Sequence, residues 1–217
     1  MLEPEVMDTE DDALEYDAIP NDDVNEAFTD ELLGAHAAPV HAVDLGTGPG
    51  HIPILLARRH GTVRITGLDL SSNMLKLARI RAARAGLSDR VQFLTADVKT
   101  TGLPPASYDL VFSNSTIHHI PEPLTLFREA RRLFKGEGLI MFKDLLRPDN
   151  LDDVDRLVKQ HAAGGTVYQR ELFRSSLRAS LTLREVRQLA DDAGLRSATA
   201  RQTSDRHWVL TATSSAI

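Results

Sequence analysis

From residue 40 onward the chain alternates between short apolar runs and longer stretches whose apolar positions recur at helical spacing. "VHAVDL" (40–45) reads as a buried strand and "HIPILLARRH" (51–60) as a helix, with Pro53 tolerated in its first turn. "VRITGLDL" (63–70) is a strand. "SSNMLKLARIRAARAG" (71–86) is a helix capped by Ser71 or Ser72 and stopped by Gly86. A strand at 91–97, a loop, a strand at 108–114, a helix at 123–135 and a strand at 138–145 continue the rhythm. Such alternation predicts a mostly parallel sheet with helices on both faces.

The last third differs. Residues 150–180 read as helical and polar, with Asp149 or Asn150 as the cap, and 182–194 as a helix stopped by Gly194. Two strands, 195–201 and 207–213, are joined closely enough for a hairpin, so the final strand should run antiparallel to its neighbour. Trp208 is expected in the core. We divide the chain into an acidic helical arm or cover, 1–39, and one α/β domain, 40–217.

Composition adds limits. The chain has 217 residues, 42% of them hydrophobic and 26% charged, which suits one soluble globular domain. With no cysteine there is no disulfide, thiolate metal site or cysteine nucleophile. The opening segment lacks the basic-then-apolar layout of a signal peptide, and no apolar stretch approaches the ~20 residues of a bilayer span, so the expected setting is cytoplasmic, without membrane attachment. A net charge of −6 argues against nucleic acid as a partner. Fourteen acidic residues precede the first Lys or Arg, Arg58, leaving 25 basic against 17 acidic residues beyond. The arm is thus either solvated or folded back over a basic face.

Candidate chemistry centres on "VDLGTGPG" (43–50), where Gly46, Gly48 and Gly50 follow Asp44 at the end of the first strand. In a doubly wound sheet, ligands bind at such carboxyl ends. A dinucleotide site wants G-x-G-x-x-G, but here the spacing is G-x-G-x-G and the sixth motif position is His51. Asp44 would repel a pyrophosphate and welcome a cation, such as the ammonium and sulfonium of S-adenosylmethionine. The second strand ends at Asp69, near the spacing for an acid on ribose hydroxyls, the third at Asp97 and the fourth at Asn114. No His or Cys spacing suggests a metal.

The chain resembles class I S-adenosylmethionine-dependent methyltransferases, in "VDLGTGPG", "GLDLSSNML", "FLTADV", "YDLVFSNSTIHHIPEP" and "LFKGEGLIMFKD", over roughly residues 40–145. The resemblance implies a Rossmann-like, doubly wound, seven-stranded sheet of order 3-2-1-4-5-7-6 with strand 7 antiparallel. It also implies S-adenosyl-L-methionine as cofactor. Gly46, Thr47, Gly48 and Gly50 would pass beneath its methionine part, Asp69 would bind the ribose, and Leu70 and Met74 would lie near the adenine. Asp97 and Val98 would bracket the adenine edge and Asn114 would face the methionine end. Tyr16, with Phe28 second, would cover the cofactor from the arm.

Methyl transfer from a sulfonium is an in-line displacement, so the protein mainly orients the acceptor. A base is needed only for a protonated acceptor, and His118 and His119 are the candidates, with no ground in sequence to prefer one. Arg147 and Arg174 are candidates for gripping an anionic acceptor. The expected enzyme is a methyltransferase for a small molecule. RNA or protein methylation, or a cofactor-binding regulatory module without catalysis, are the alternatives. The sequence fixes neither the acceptor atom (O, N, S or C) nor the choice between monomer and homodimer.

Overall fold

In a computed structural model, described for residues 9–19, 21–196 and 198–213, α1 (Glu10–Asp17) and α2 (Asp22–Ala35) precede the sheet. The first eight residues of the expected arm lie outside the described residues. Then follow β1 (His41–Leu45), α3 (His51–Arg59), β2 (Arg64–Asp69), α4 (Ser72–Arg84), β3 (Val91–Thr95) and β4 (Tyr108–Asn114). A 3-10 turn (Ile117–His119), α5 (Pro123–Leu133), β5 (Phe134–Leu145), α6 (Leu151–His161), α7 (Val167–Ala179), α8 (Leu183–Asp192), β6 (Thr199–Gln202) and β7 (His207–Thr213) complete the chain.

The seven strands lie in the order β3-β2-β1-β4-β5-β7-β6, with β7 antiparallel to both β5 and β6 and the other pairings parallel. Strand alternation divides the core between two faces. Val43, Leu45, Val111, Ile140, Phe142, Trp208 and Leu210 pack against α5 and α8. Ala42, Ile65, Leu110, Phe112, Met141 and Val209 pack against α2, α3 and α4. Trp208 is fully buried, as expected of it.

The helix limits have local causes. Ser71 caps α4 by accepting from the Met74 amide at 3.2 Å, and Asn150 caps α6 by accepting from the Asp153 amide at 2.9 Å. Reciprocal capping boxes open α7 (Thr166 with Gln169) and α8 (Thr182 with Glu185). The polar stretch 150–180 is two helices, parted at Ala162–Gly165, and its second helix packs on the 3-10 turn.

Several limits differ from the sequence reading. Strand β5 begins at Phe134, because Phe134 pairs with Tyr108 before a register shift resumes the ladder at Leu110–Leu139. The helix ahead of it therefore stops at Leu133. The Ala198 amide donates to the Leu195 carbonyl, and β6 starts only at Thr199.

Candidate functional site

The parallel strands β1, β2, β3 and β4 bring their carboxyl ends side by side, and the loop after β1 crosses them. The Gly46 and Thr47 amides both donate to the Leu68 carbonyl, at 2.9 and 2.8 Å, pinning the loop to the end of β2. Asp69 braces it further: Oδ2 accepts from the Gly48 amide at 2.8 Å and Oδ1 from the Ser71 amide at 2.9 Å. Burial pushes the Asp69 carboxyl above its ordinary value, and these amides oppose the shift.

Two glycines have separate reasons to be glycine. Gly46 has φ +80°, and a Cβ there would stand 2.2 Å from Thr116 Oγ1, so the loop lies directly on the segment after β4. At Gly48, φ +52°, a Cβ would meet only Tyr16 Cε1, 4.0 Å away. The space above Gly48 is thus open and roofed by the aromatic ring of the arm. Gly50, also at positive φ, is the N-cap residue of α3.

Asp44 lies on the face of β1 that carries α2 and α3, and it is 2% exposed. Its Oδ1 has no hydrogen-bond partner among the described residues. Burial pushes its carboxyl up to about 7, against the opposing Thr47 side chain and with the Asp69 charge adding to the rise. An orphaned buried carboxylate oxygen beside an open, glycine-floored space is the arrangement a cationic ligand would satisfy.

The remaining residues expected to hold a cofactor follow β2 and β3, end β4, or lie in the first turn of α4. Leu70 is half-buried and Met74 buried at the start of α4. Asp97 follows β3, beside Asp69, whose carbonyl accepts from the Ala96 amide at 3.1 Å. Its own carboxylate accepts from the Lys99 amide at 2.8 Å and pairs with the Lys99 ammonium at 3.1 Å. Val98 is buried in the core on the α5 side. Asn114 ends β4 in register with Lys143, and Ser115 after it holds φ +56°, a left-handed conformation uncommon outside glycine. Phe28 is fully buried against Phe112, so it packs in the core, and Tyr16 alone of the two arm aromatics reaches the loop.

Both histidines sit in the 3-10 turn after β4, their ring centroids 4.2 Å apart. His118 Nδ1 lies 2.6 Å from Asp144 Oδ1, at the end of β5, and both residues are buried. Asp144 Oδ2 also accepts from the Ile117 amide at 2.7 Å. Burial pushes the Asp144 carboxyl up, but His118, the Leu145 amide and His119 outweigh it and hold the group below the usual carboxylate range. Thr116 Oγ1 donates to the Gly46 carbonyl at 3.2 Å, tying this turn to the glycine loop. No local signal in the sequence links Asp144 to His118. Their alignment, across 26 residues, comes from the parallel pairing of β4 with β5.

Arg147 and Arg174 are engaged within the chain. Arg147 donates to both Glu185 oxygens, at 2.5 and 2.6 Å, joining the end of β5 to α8. Arg174 pairs with Asp155 of α6 and with Glu171. An anionic acceptor would have to compete with these carboxylates.

The acidic arm meets basic residues of the domain at several points. Arg59 pairs with Glu26 and Asp30, Lys143 with Glu31 at 3.1 Å, and Arg201 with Glu31 at 3.4 Å. Among the described residues no group of three or more His, Cys, Asp or Glu could hold a metal ion, and no helix is long and apolar enough to cross a membrane.

Comparison with known proteins agrees with this geometry. Residues 43–142 match the family model of the methyltransferase domain. Among curated proteins, the chain is 33% identical over 148 residues to a malonyl-[acyl-carrier protein] O-methyltransferase of Methylovorus sp., covering 67% of this chain and 50% of that protein. It is 31% identical over 137 residues to a trans-aconitate 2-methyltransferase of Rhizobium rhizogenes, covering 63% and 50%. The chain thus spans about half the length of these relatives. Among solved structures, an S-adenosylmethionine-dependent methyltransferase from Aquifex aeolicus superposes with a TM-score of 0.69 at 19% identity, over 94% of this chain and 97% of that one. The fold, the strand order and the matched segment define a class I S-adenosylmethionine-dependent methyltransferase domain.

Proposed function

We propose that the protein transfers a methyl group from S-adenosylmethionine to a small-molecule acceptor. The observation that carries this reading is the open space over Gly48, floored by glycine, roofed by Tyr16 and flanked by the buried, unpartnered Asp44 oxygen. Asp44 and Asp69 would hold the cofactor over the glycine loop, with Tyr16 above it and Met74 and Asp97 toward the adenine. Once bound there, the cofactor would supply an electrophilic methyl carbon to the acceptor's lone pair, with its sulfur as the leaving group.

The chain contributes orientation and a proton acceptor. Asp144 accepts the Nδ1 proton of His118, which leaves Nε2 as the basic atom. His118 Nε2 takes the proton of an O–H or N–H acceptor as that acceptor is methylated. His118 is favoured because the Asp144 carboxylate, at hydrogen-bond distance from Nδ1, fixes its ring. Helix α7, packed on the 3-10 turn, forms part of the acceptor's wall.

The two relatives named above carry carboxylate-bearing acceptors in their names, so carboxylic acids lead the acceptor panel. Residues 1–39 act as the cover and 40–217 as the methyltransferase domain of a cytoplasmic enzyme. The test is S-adenosylhomocysteine release from methyl-labelled cofactor against small acids, alcohols and amines. Label transfer to one class supports the reading. Cofactor binding with no transfer to any acceptor, small or macromolecular, would favour a non-catalytic module.

A further inference from the structure

Helix α1 has little to hold it by apolar burial: Ala13 is buried, but Leu14 is 51% exposed. What fixes it is charge. The Asp17 carboxylate accepts two hydrogen bonds from Arg81 Nη2, at 2.8 and 2.9 Å, and lies 2.8 Å from His51 Nε2. Arg81 stands on α4, whereas His51 is the first residue of α3, directly after the glycine loop. Arg81 also reaches the loop itself, because Nη1 donates to the Pro49 carbonyl. One guanidinium therefore bridges the cover and the floor of the site, and one carboxylate gathers both helices that flank the loop.

We infer that Asp17, Arg81 and His51 form a clasp that holds Tyr16 over Gly48 and thereby sets how long the cofactor stays bound. The inference rests on the cofactor reading above. Tyr16 is the residue before Asp17, so the clasp and the roof of the site move as one unit. The side chains of Asp17, Arg81 and His51 are 22%, 28% and 29% exposed, so the pairs are partly shielded from solvent and salt. Segments with few apolar contacts open at low free-energy cost, which makes α1 the element expected to part first from the rest of the fold. For release, the cofactor must pass the roof, and the roof lifts when the clasp breaks. These three are positioning residues: they act through Tyr16 and the Pro49 carbonyl.

The test compares S-adenosylhomocysteine dissociation from wild type, Asp17→Asn and Asp17→Glu by stopped flow, with hydrogen exchange of residues 10–17 followed in parallel. Loss of the carboxylate charge is expected to speed dissociation by about five- to tenfold, with the conservative Asp17→Glu restoring most of it. Wild-type dissociation should quicken with added salt, and Asp17→Asn should respond far less. S-adenosylhomocysteine should slow exchange in α1 of the wild type. Equal dissociation rates in wild type and Asp17→Asn, both still binding, would overturn the clasp alone. Failure of the folded wild type to bind S-adenosylhomocysteine would overturn the cofactor reading, and the clasp with it.

Discussion

His118 Nδ1 and Asp144 Oδ1 stand 2.6 Å apart in the buried region where β4 and β5 end. The pair does two jobs. It orients an imidazole beside the glycine loop, and through Asp144 Oδ2 it anchors the amide of Ile117 in the 3-10 turn. Removing the charge while keeping the shape separates these jobs from simple packing.

Asp144→Asn should cost about 3–5 kcal/mol of stability near neutral pH, as breaking a buried pair from one side does. The folded-state value of Asp144 is depressed, so its contribution is present above the unfolded value of about 3.9 and is lost as pH falls through the folded one. The difference between wild type and variant should therefore shrink below about pH 4, which thermal melts across pH check. With an O–H or N–H acceptor, kcat should fall by about 10²-fold while cofactor affinity holds.

Asp44 carries the opposite sign. Its folded value is raised to about 7, so the unliganded protein loses stability as pH rises from the unfolded value of about 3.9 through 7. Above that range the ionised group costs on the order of 4 kcal/mol. Asp44→Asn should melt several degrees higher than wild type at pH 8, and the gap should close toward pH 4. The same variant should bind S-adenosylmethionine at least tenfold more weakly. Stability gained with affinity lost is the signature of a residue kept for its ligand.

Gly46→Ala and Gly48→Ala should separate cleanly. Both force a left-handed alanine, at about 1–2 kcal/mol each. At Gly46 the new methyl also collides with Thr116, so the variant should be much less stable and recover only in part when combined with Thr116→Ala, whose Cβ still stands 2.8 Å from it. At Gly48 the methyl enters open space, so the protein should fold with a modest loss and fail to bind cofactor. Chemical denaturation together with calorimetry distinguishes the two.

The alternation of strands and helices and the loop's place at a strand end were legible from local signals: alternating apolar runs, caps at Ser71 and Asn150, and glycines after Asp44; the order of the strands came from the resemblance to class I methyltransferases. Local signals also explain the misplaced limits. Phe134 joins β5 only through its partner Tyr108, 26 residues away, and no window of sequence contains both. The meeting of Asp17 with Arg81, across 64 residues, was equally invisible, although the acidic arm and basic remainder hinted at a charge match. Arg147 and Arg174 read as basic residues near an acceptor, because sequence does not show that Glu185 and Asp155 already face them.

The most direct test of the central claim is calorimetric titration of the wild type with S-adenosylmethionine, run beside NAD. The account predicts micromolar binding of the first and none of the second, with the first lost in Asp69→Ala. Binding of NAD in place of S-adenosylmethionine would contradict it.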